Sequence, residues 1–232
     1  MRHQCSLAGL LALLLAAGLA AFTSTTMAAD TTIERQRRAM IEAAERGDIS
    51  TINRLMIAGG TVNVTDETRR TPLLAAVEND RLEAFKVLLA EGADINAQAH
   101  SRDTPWLLAG ALGRSEMLRL MLPMGPDLAI LNRFGGTALI PACERGHVET
   151  VRLLLKETKI DVDHVNNLGW TCLLEIAILG EGGPRHVDAS KLVLAAGAHP
   201  NLPDKNGVTA LAHARKRGLT AIARLIEAAG GK

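Results

Sequence analysis

The chain has 232 residues, 47% of them apolar and 22% charged, enough for one sizeable globular or repeat domain or two small ones, and unlike a disordered tail. With residues 1–28 set aside, 25 Lys and Arg face 25 Asp and Glu, since that segment holds Arg2 and no acid. This neutrality argues against a general nucleic-acid binder and against a basic membrane-surface module. There is no Tyr, and only two Trp and three Phe, so the core must be built largely from Ala and Leu in closely packed short helices.

Arg2 and His3 open the chain, ahead of an uncharged run from Leu7 to Phe22, small polar residues from Thr23 to Thr26, and Met27-Ala28-Ala29. This order is that of a secretory signal peptide, 1–28, cleaved after Ala28 or one residue later. The run of 16 residues would reach about 24 Å as a helix. That is short of the roughly 30 Å hydrocarbon core and disfavours a retained anchor. Cys5 precedes the run and so is not placed to accept a lipid at its end. No later segment is apolar for long enough to span a bilayer, and no membrane insertion is expected after cleavage.

Residues 29–37 lead into a repeat. Thr71-Pro72-Leu73-Leu74-Ala75-Ala76 recurs as Thr104-Pro105-Trp106-Leu107-Leu108-Ala109, then from Thr137, Thr171 and Thr209, at spacings of 33, 33, 34 and 38 residues. A copy without Thr or Pro begins at Arg38 and suits a first, capping unit, giving six units over 38–230 with starts near 38, 71, 104, 137, 171 and 209. Each Thr is placed to cap a helix start, and a following Pro loses nothing there. The first helix ends at Gly47, Gly113, Gly146, Gly180 or Gly218, with Asp80 the lone departure. A second helix follows, with stripes such as Leu82, Phe85, Leu88 and Leu89, or Val148, Val151, Leu154 and Leu155. Links such as Asn63 to Asp66, Asn96 to Ala99 and Asn201 to Asp204 carry Asn and Asp that can cap their own turns. Neither helix is long enough to stand alone, so the pairs must stack.

The spacing and the hexads resemble the ankyrin repeat, over roughly residues 34–230. The resemblance implies an all-α solenoid of stacked helix-turn-helix units joined by β-turn or hairpin loops. The hexad His is replaced by Leu74, Leu107, Ile140, Leu174 and Ala212, so apolar packing must take over its role. Pro123, Gly125 and Pro126 should fray the second helix of the third unit. Glu181 to Arg185 are inserted between the helices of the fifth, where Gly182-Gly183-Pro184 is expected as a loop. Together with the leader, the resemblance suggests a bacterial periplasmic protein; secretion or N-terminal anchoring is the alternative.

In that family the turn tips and inner helices form a concave binding face. Transferred by position, this gives Arg70, Arg133, Phe134, Asn167, Leu168, Trp170 and Lys205 at the tips, and Leu112, Glu144, Arg145, Ile178, Leu179 and Lys216 at the exposed ends of inner helices. Phe134, Leu168, Trp170, Ile178, Leu179 and Leu112 make an apolar centre, with Glu67, Arg70 and Glu78 to one side and Lys205, Lys216 and Arg217 to the other. Apolar centres with charged rims are how protein interfaces are built.

Cys143 lies six residues past Thr137, and Cys172 one past Thr171. An axial offset of about 7.5 Å added to about 8–10 Å between helices exceeds disulfide reach, so two separate buried thiols are expected. His100, His147, His164, His186, His199 and His213 show no metal-ligand spacing, and no nucleophile motif or phosphate loop is present. The expectation is therefore a non-catalytic, cofactor-free, monomeric scaffold that binds a protein and no nucleic acid. A self-assembling or envelope-associated structural protein, or a small-ligand binder or enzyme using a groove near Trp170 and Glu175, are the alternatives.

Overall fold

The computed structural model describes residues 32–232. Residues 1–28, expected from the sequence to be a signal peptide, and the first residues of the expected lead-in lie outside this range. Within it the chain forms α1 (residues 32–46) and α2 (Ile49–Ile57), then five further helix pairs. These are α3 (Pro72–Glu78) with α4 (Leu82–Ala90), α5 (Pro105–Ala111) with α6 (Ser115–Met121), and α7 (Leu139–Glu144) with α8 (Val148–Glu157). They continue as α9 (Cys172–Ile178) with α10 (Pro184–Ala195), and α11 (Ala210–Lys216) with α12 (Thr220–Ala228). Each pair packs internally; α3, α5, α7, α9 and α11 form one row in chain order, backed by α2, α4, α6, α8, α10 and α12. Extended pairing among the described residues is limited to one antiparallel bridge, Pro203 with Thr209. The expected all-α solenoid is the observed fold.

Local chemistry explains the short inner helices. Thr71, Thr104, Thr171 and Thr209 each accept, through the side-chain hydroxyl, the N–H three residues on, at Leu74, Leu107, Leu174 and Ala212. The fourth unit departs. Its helix starts one residue late, with Ala138 as the cap residue, Pro141 in its first turn, and the buried Thr137 hydroxyl left without a partner. A helix of six or seven residues has little stability of its own, so the core between the rows carries the fold. Trp106, Phe85, Leu73, Leu118, Leu139 and Leu154 are among its fully buried side chains, and Leu74, Leu107, Ile140 and Leu174 are buried where the hexad His would stand.

The turns are fixed in two ways. Asp66, Asn132, Asn166 and Asp204 cap their own turns, each side-chain oxygen accepting the N–H groups two and four residues on. Asn63, Asn96 and Asn201 do not cap their own turns as expected. They accept from Asp94, Asp127 and Lys232 instead, tying each link to the segment about one repeat further on. The third unit's second helix ends at Met121 and closes in a 3-10 turn, Leu122–Met124, as Pro123 requires. The insertion after Leu179 is only partly loop: Pro184 and Arg185 form the first turn of α10, which reaches 12 residues.

The largest correction concerns the cysteines. Cys143 and Cys172 form a disulfide between α7 and α9, with Cα atoms 5.6 Å apart. Equivalent positions set level on neighbouring helices, at axis-to-axis spacing, overstate the distance between the two residues. Inner helices are in fact staggered, so that the sixth residue after one Thr meets the first residue after the next. Gly110 and Ala138 stand in the same relation one repeat earlier, where a Cβ on Gly110 would lie 2.7 Å from that of Ala138. The facing surfaces also approach more closely than the axes, because each Cα stands about 2.3 Å off its own axis.

Candidate functional site

The apolar groove lies across the tips and inner helices of the fourth and fifth repeats. It has a volume of about 190 Å³ and is bounded by Phe134, Ile140, Pro141, Leu168 and Leu179, with Glu144, Glu175, Asn132 and Asn166 as its polar groups. Phe134 is 48% exposed, Leu168 44% and Leu179 47%, large apolar surfaces turned to solvent where most aliphatic side chains are buried. Single exposed apolar residues are ordinary, but three around one hollow form a patch. The tips holding them are rigid: Asn166 caps its turn through the N–H groups of Leu168 and Trp170, and Asn167 N–H donates to the Phe134 carbonyl at 2.8 Å. Arg133 lies 4.7 Å from the Phe134 ring centroid, a cation on the ring face.

Glu175 lies at the bottom. It is 4% exposed, on the first turn of α9, and its Oε1 accepts from Asn166 Nδ2 at 2.9 Å. Its Oε2 is buried with no hydrogen-bond partner among the described residues. Burial, and then the neighbouring Glu144 carboxylate, push the Glu175 carboxyl up to about 7. The corresponding residue in the last repeat is His213, whose Nε2 meets Asp204 Oδ2 at 2.9 Å. That pair is satisfied within the protein, whereas the Asn166–Glu175 pair leaves a carboxylate oxygen over.

The remaining candidates divide clearly. Phe134, Leu168, Leu179 and Glu144 line the groove. Trp170 and Ile178 are half-buried and pack against the core, so of the two rings expected in the hollow only Phe134 lines it. Leu112 is half-buried at the end of α5, away from the groove lining. Arg145 donates to the Ala111 carbonyl, Lys205 to the Asn167 carbonyl, and Arg217 to the carbonyls of Ala177 and Gly180. These cations brace neighbouring repeats. Arg70 is held by Glu78 and Glu45 and lines a separate, charged groove of about 300 Å³ at the first repeat. Arg133, Asn167 and Lys216 are exposed. Asn166, Ile140 and Pro141 also line the groove, beyond the residues expected from the sequence. Glu175 is expected there only for a small-ligand site or enzyme, although a carboxylate inside the hexad, where Ala75, Leu108 and Pro141 stand elsewhere, is a signal in the sequence.

Among the described residues no group of three or more His, Cys, Asp or Glu is arranged to hold a metal ion, and no helix is long and apolar enough to cross a membrane.

Stacked helix pairs, capped Thr hexads and hairpin tips are the features of an ankyrin-repeat array. A sequence profile of ankyrin repeats (3 copies) matches residues 3–99 and 106–204, and the chain belongs to the ankyrin-repeat family. It is 48% identical over 92 residues to the ankyrin repeat protein YahD of Escherichia coli strain K12, a match covering 40% of this chain and 46% of that protein. The matched stretch thus spans about half the length of this curated relative. An ankyrin repeat domain from Acinetobacter baumannii AYE is 47% identical, with a TM-score of 0.78 over 83% of this chain and 98% of that one. A chain from the complex of the predatory endopeptidase Bd0816 of Bdellovibrio bacteriovorus with immunity protein Bd3460 is 25% identical. It superposes with a TM-score of 0.71 over 82% of this chain and 97% of that one. The ankyrin-repeat fold generally mediates protein–protein interactions.

Proposed function

We propose that this chain is a monomeric, non-catalytic scaffold that binds a protein partner through the tips and inner helices of its central repeats. The observation that carries this is the groove between the fourth and fifth repeats, where Phe134, Leu168 and Leu179 stay exposed around buried polar groups. Exposed apolar anchors on rigid supports, with charged residues outside them, match the anatomy of protein interfaces. The resemblance to a chain of an endopeptidase–immunity protein complex supports a protein as the partner.

The scaffold works in the periplasm after removal of residues 1–28. The order of charged, apolar and small residues at the start of the sequence supports export, and the Cys143–Cys172 bond suits an oxidising compartment. Photoreactive residues at positions 134 and 168 of the protein in cells test both statements, with position 224 on α12 as control. Crosslinks to one protein in the periplasmic fraction, absent from position 224, are expected. Equal crosslinking from all three positions, or none from 134 and 168, overturns the binding face; crosslinks confined to the cytoplasm overturn the location.

A further inference from the structure

We propose that the groove between the fourth and fifth repeats receives one basic side chain of the protein partner, arginine or lysine, with its stem on Leu168, Leu179 and Phe134 and its cationic end against Glu175 and Glu144. This rests on the protein-binding role above and specifies the chemistry of that contact.

Three observations carry it. Glu175 is nine-tenths buried at the groove and holds only one of its carboxylate oxygens bonded, so a donor arriving from the groove completes the set. No described residue supplies that donor. Around α9, Arg145 bonds the Ala111 carbonyl, His186 the Glu144 carbonyl, Arg217 the carbonyls of Ala177 and Gly180, and His213 Asp204, while Arg185 and Lys216 are turned to solvent. Lastly, two carboxylates stand beneath an apolar rim. A chain with methylenes along its length and a cation at its end matches that combination, since arginine and lysine bury the stem and keep the charge at the tip.

Docking a cation also removes the reason for the carboxyl to hold its proton. The Glu175 carboxyl is pushed up to about 7 by burial and Glu144, so it is partly protonated at neutral pH before a cation arrives. Binding therefore expels a proton, and affinity for a cation rises about tenfold from pH 6 to pH 8.

The test uses the full chain and the peptide acetyl-Leu-Arg-Leu-amide, its lysine analogue, and its neutral citrulline analogue, followed by methyl NMR. The cationic peptides are expected to shift the methyl signals of Ile140, Leu168 and Leu179, with the citrulline peptide at least about tenfold weaker. Glu175→Gln is expected to remove most of that preference while the circular dichroism spectrum is kept. Glu144→Gln, half-buried at the end of α7, should weaken it partially. Equal binding of citrulline and arginine peptides, an unchanged preference in Glu175→Gln, or shifts elsewhere on the array each overturn the proposal. Cationic peptides that bind as described while positions 134 and 168 capture no protein in cells would leave this subsite standing and remove the protein-binding role instead.

Discussion

Asn166 holds Glu175 by one oxygen only, its Nδ2 donating to Oε1 at 2.9 Å across the base of the fifth repeat. The unpartnered oxygen makes the ionised carboxylate costly in the folded state. In the unfolded chain the group titrates near its ordinary 4.5, and in the folded protein near 7. Between those values the unfolded chain has lost its proton while the folded protein retains it. The Glu175 contribution to stability is therefore most favourable below pH 4.5, falls as pH rises to about 7, and is flat above, with a ceiling of about 3 kcal/mol on the loss. Glu175→Gln removes this dependence and should be more stable than the parent at pH 8 but not at pH 5. Urea unfolding at both pH values checks it; equal loss in both proteins from pH 5 to 8 contradicts the assignment. Asp66 and Asp204 act oppositely. Their turn hydrogen bonds keep their carboxyls below the ordinary range, so their contribution disappears only as pH falls below 3.8.

Removal of the disulfide should cost about 3–4 kcal/mol. The bond closes a loop with a sequence separation of 29, and restricting an unfolded chain over that length accounts for an effect of this size. Cys143→Ala with Cys172→Ala is the suitable variant, because Ala177 and Ala210 occupy the same two repeat positions further along. Reductant should lower the unfolding midpoint of the parent and leave the double variant unmoved.

Gly110→Ala is expected to destabilise by about 1–3 kcal/mol, since the added methyl would lie 2.7 Å from both Cβ and the carbonyl oxygen of Ala138. Adding Ala138→Gly removes one of those clashes and should restore part of the loss. A neutral Gly110→Ala would mean that the inner helices separate easily, against the staggered packing described above.

Arg102 sits at φ 64°, in the left-handed region, at the tip position that Gly135, Gly169 and Gly207 occupy in later repeats. Arg102→Gly relieves that strain, partly offset by the greater freedom of the unfolded chain, for a net gain of about 0.5 kcal/mol. A thermal midpoint that falls in this variant would show that the arginine side chain contributes more than its backbone costs.

Phe134→Ser with Leu168→Ser should separate binding from folding. Both side chains are about half exposed, so stability should change by no more than about 1 kcal/mol while crosslinking of the partner to position 179 is lost. Crosslinking that persists at the parent level would mean that these residues are not anchors.

The architecture was legible because it is one-dimensional. Thr71, Thr104, Thr137, Thr171 and Thr209 mark the helix starts by chemistry as well as spacing, and the apolar stripes of the outer helices need no tertiary information. What escaped depends on relations between repeats. The meeting of Cys143 with Cys172 requires the stagger of neighbouring helices, which periodicity does not encode. Trp170 and Phe134 looked alike as aromatic tip residues, yet one packs half-buried on the core while the other stays open, because their positions in the turn differ by two. Glu175 was visible as a carboxylate in a hexad, but its significance depends on Asn166, nine residues earlier, satisfying only half of it.

The Cys143–Cys172 bond also determines how the array answers to mechanical tension. In such an array each unit contacts only its neighbours, so units can release their contour separately. Here the segment between the two cysteines stays locked behind a covalent rung, so a molecule stretched by its termini extends about 100 Å less when oxidised than when reduced.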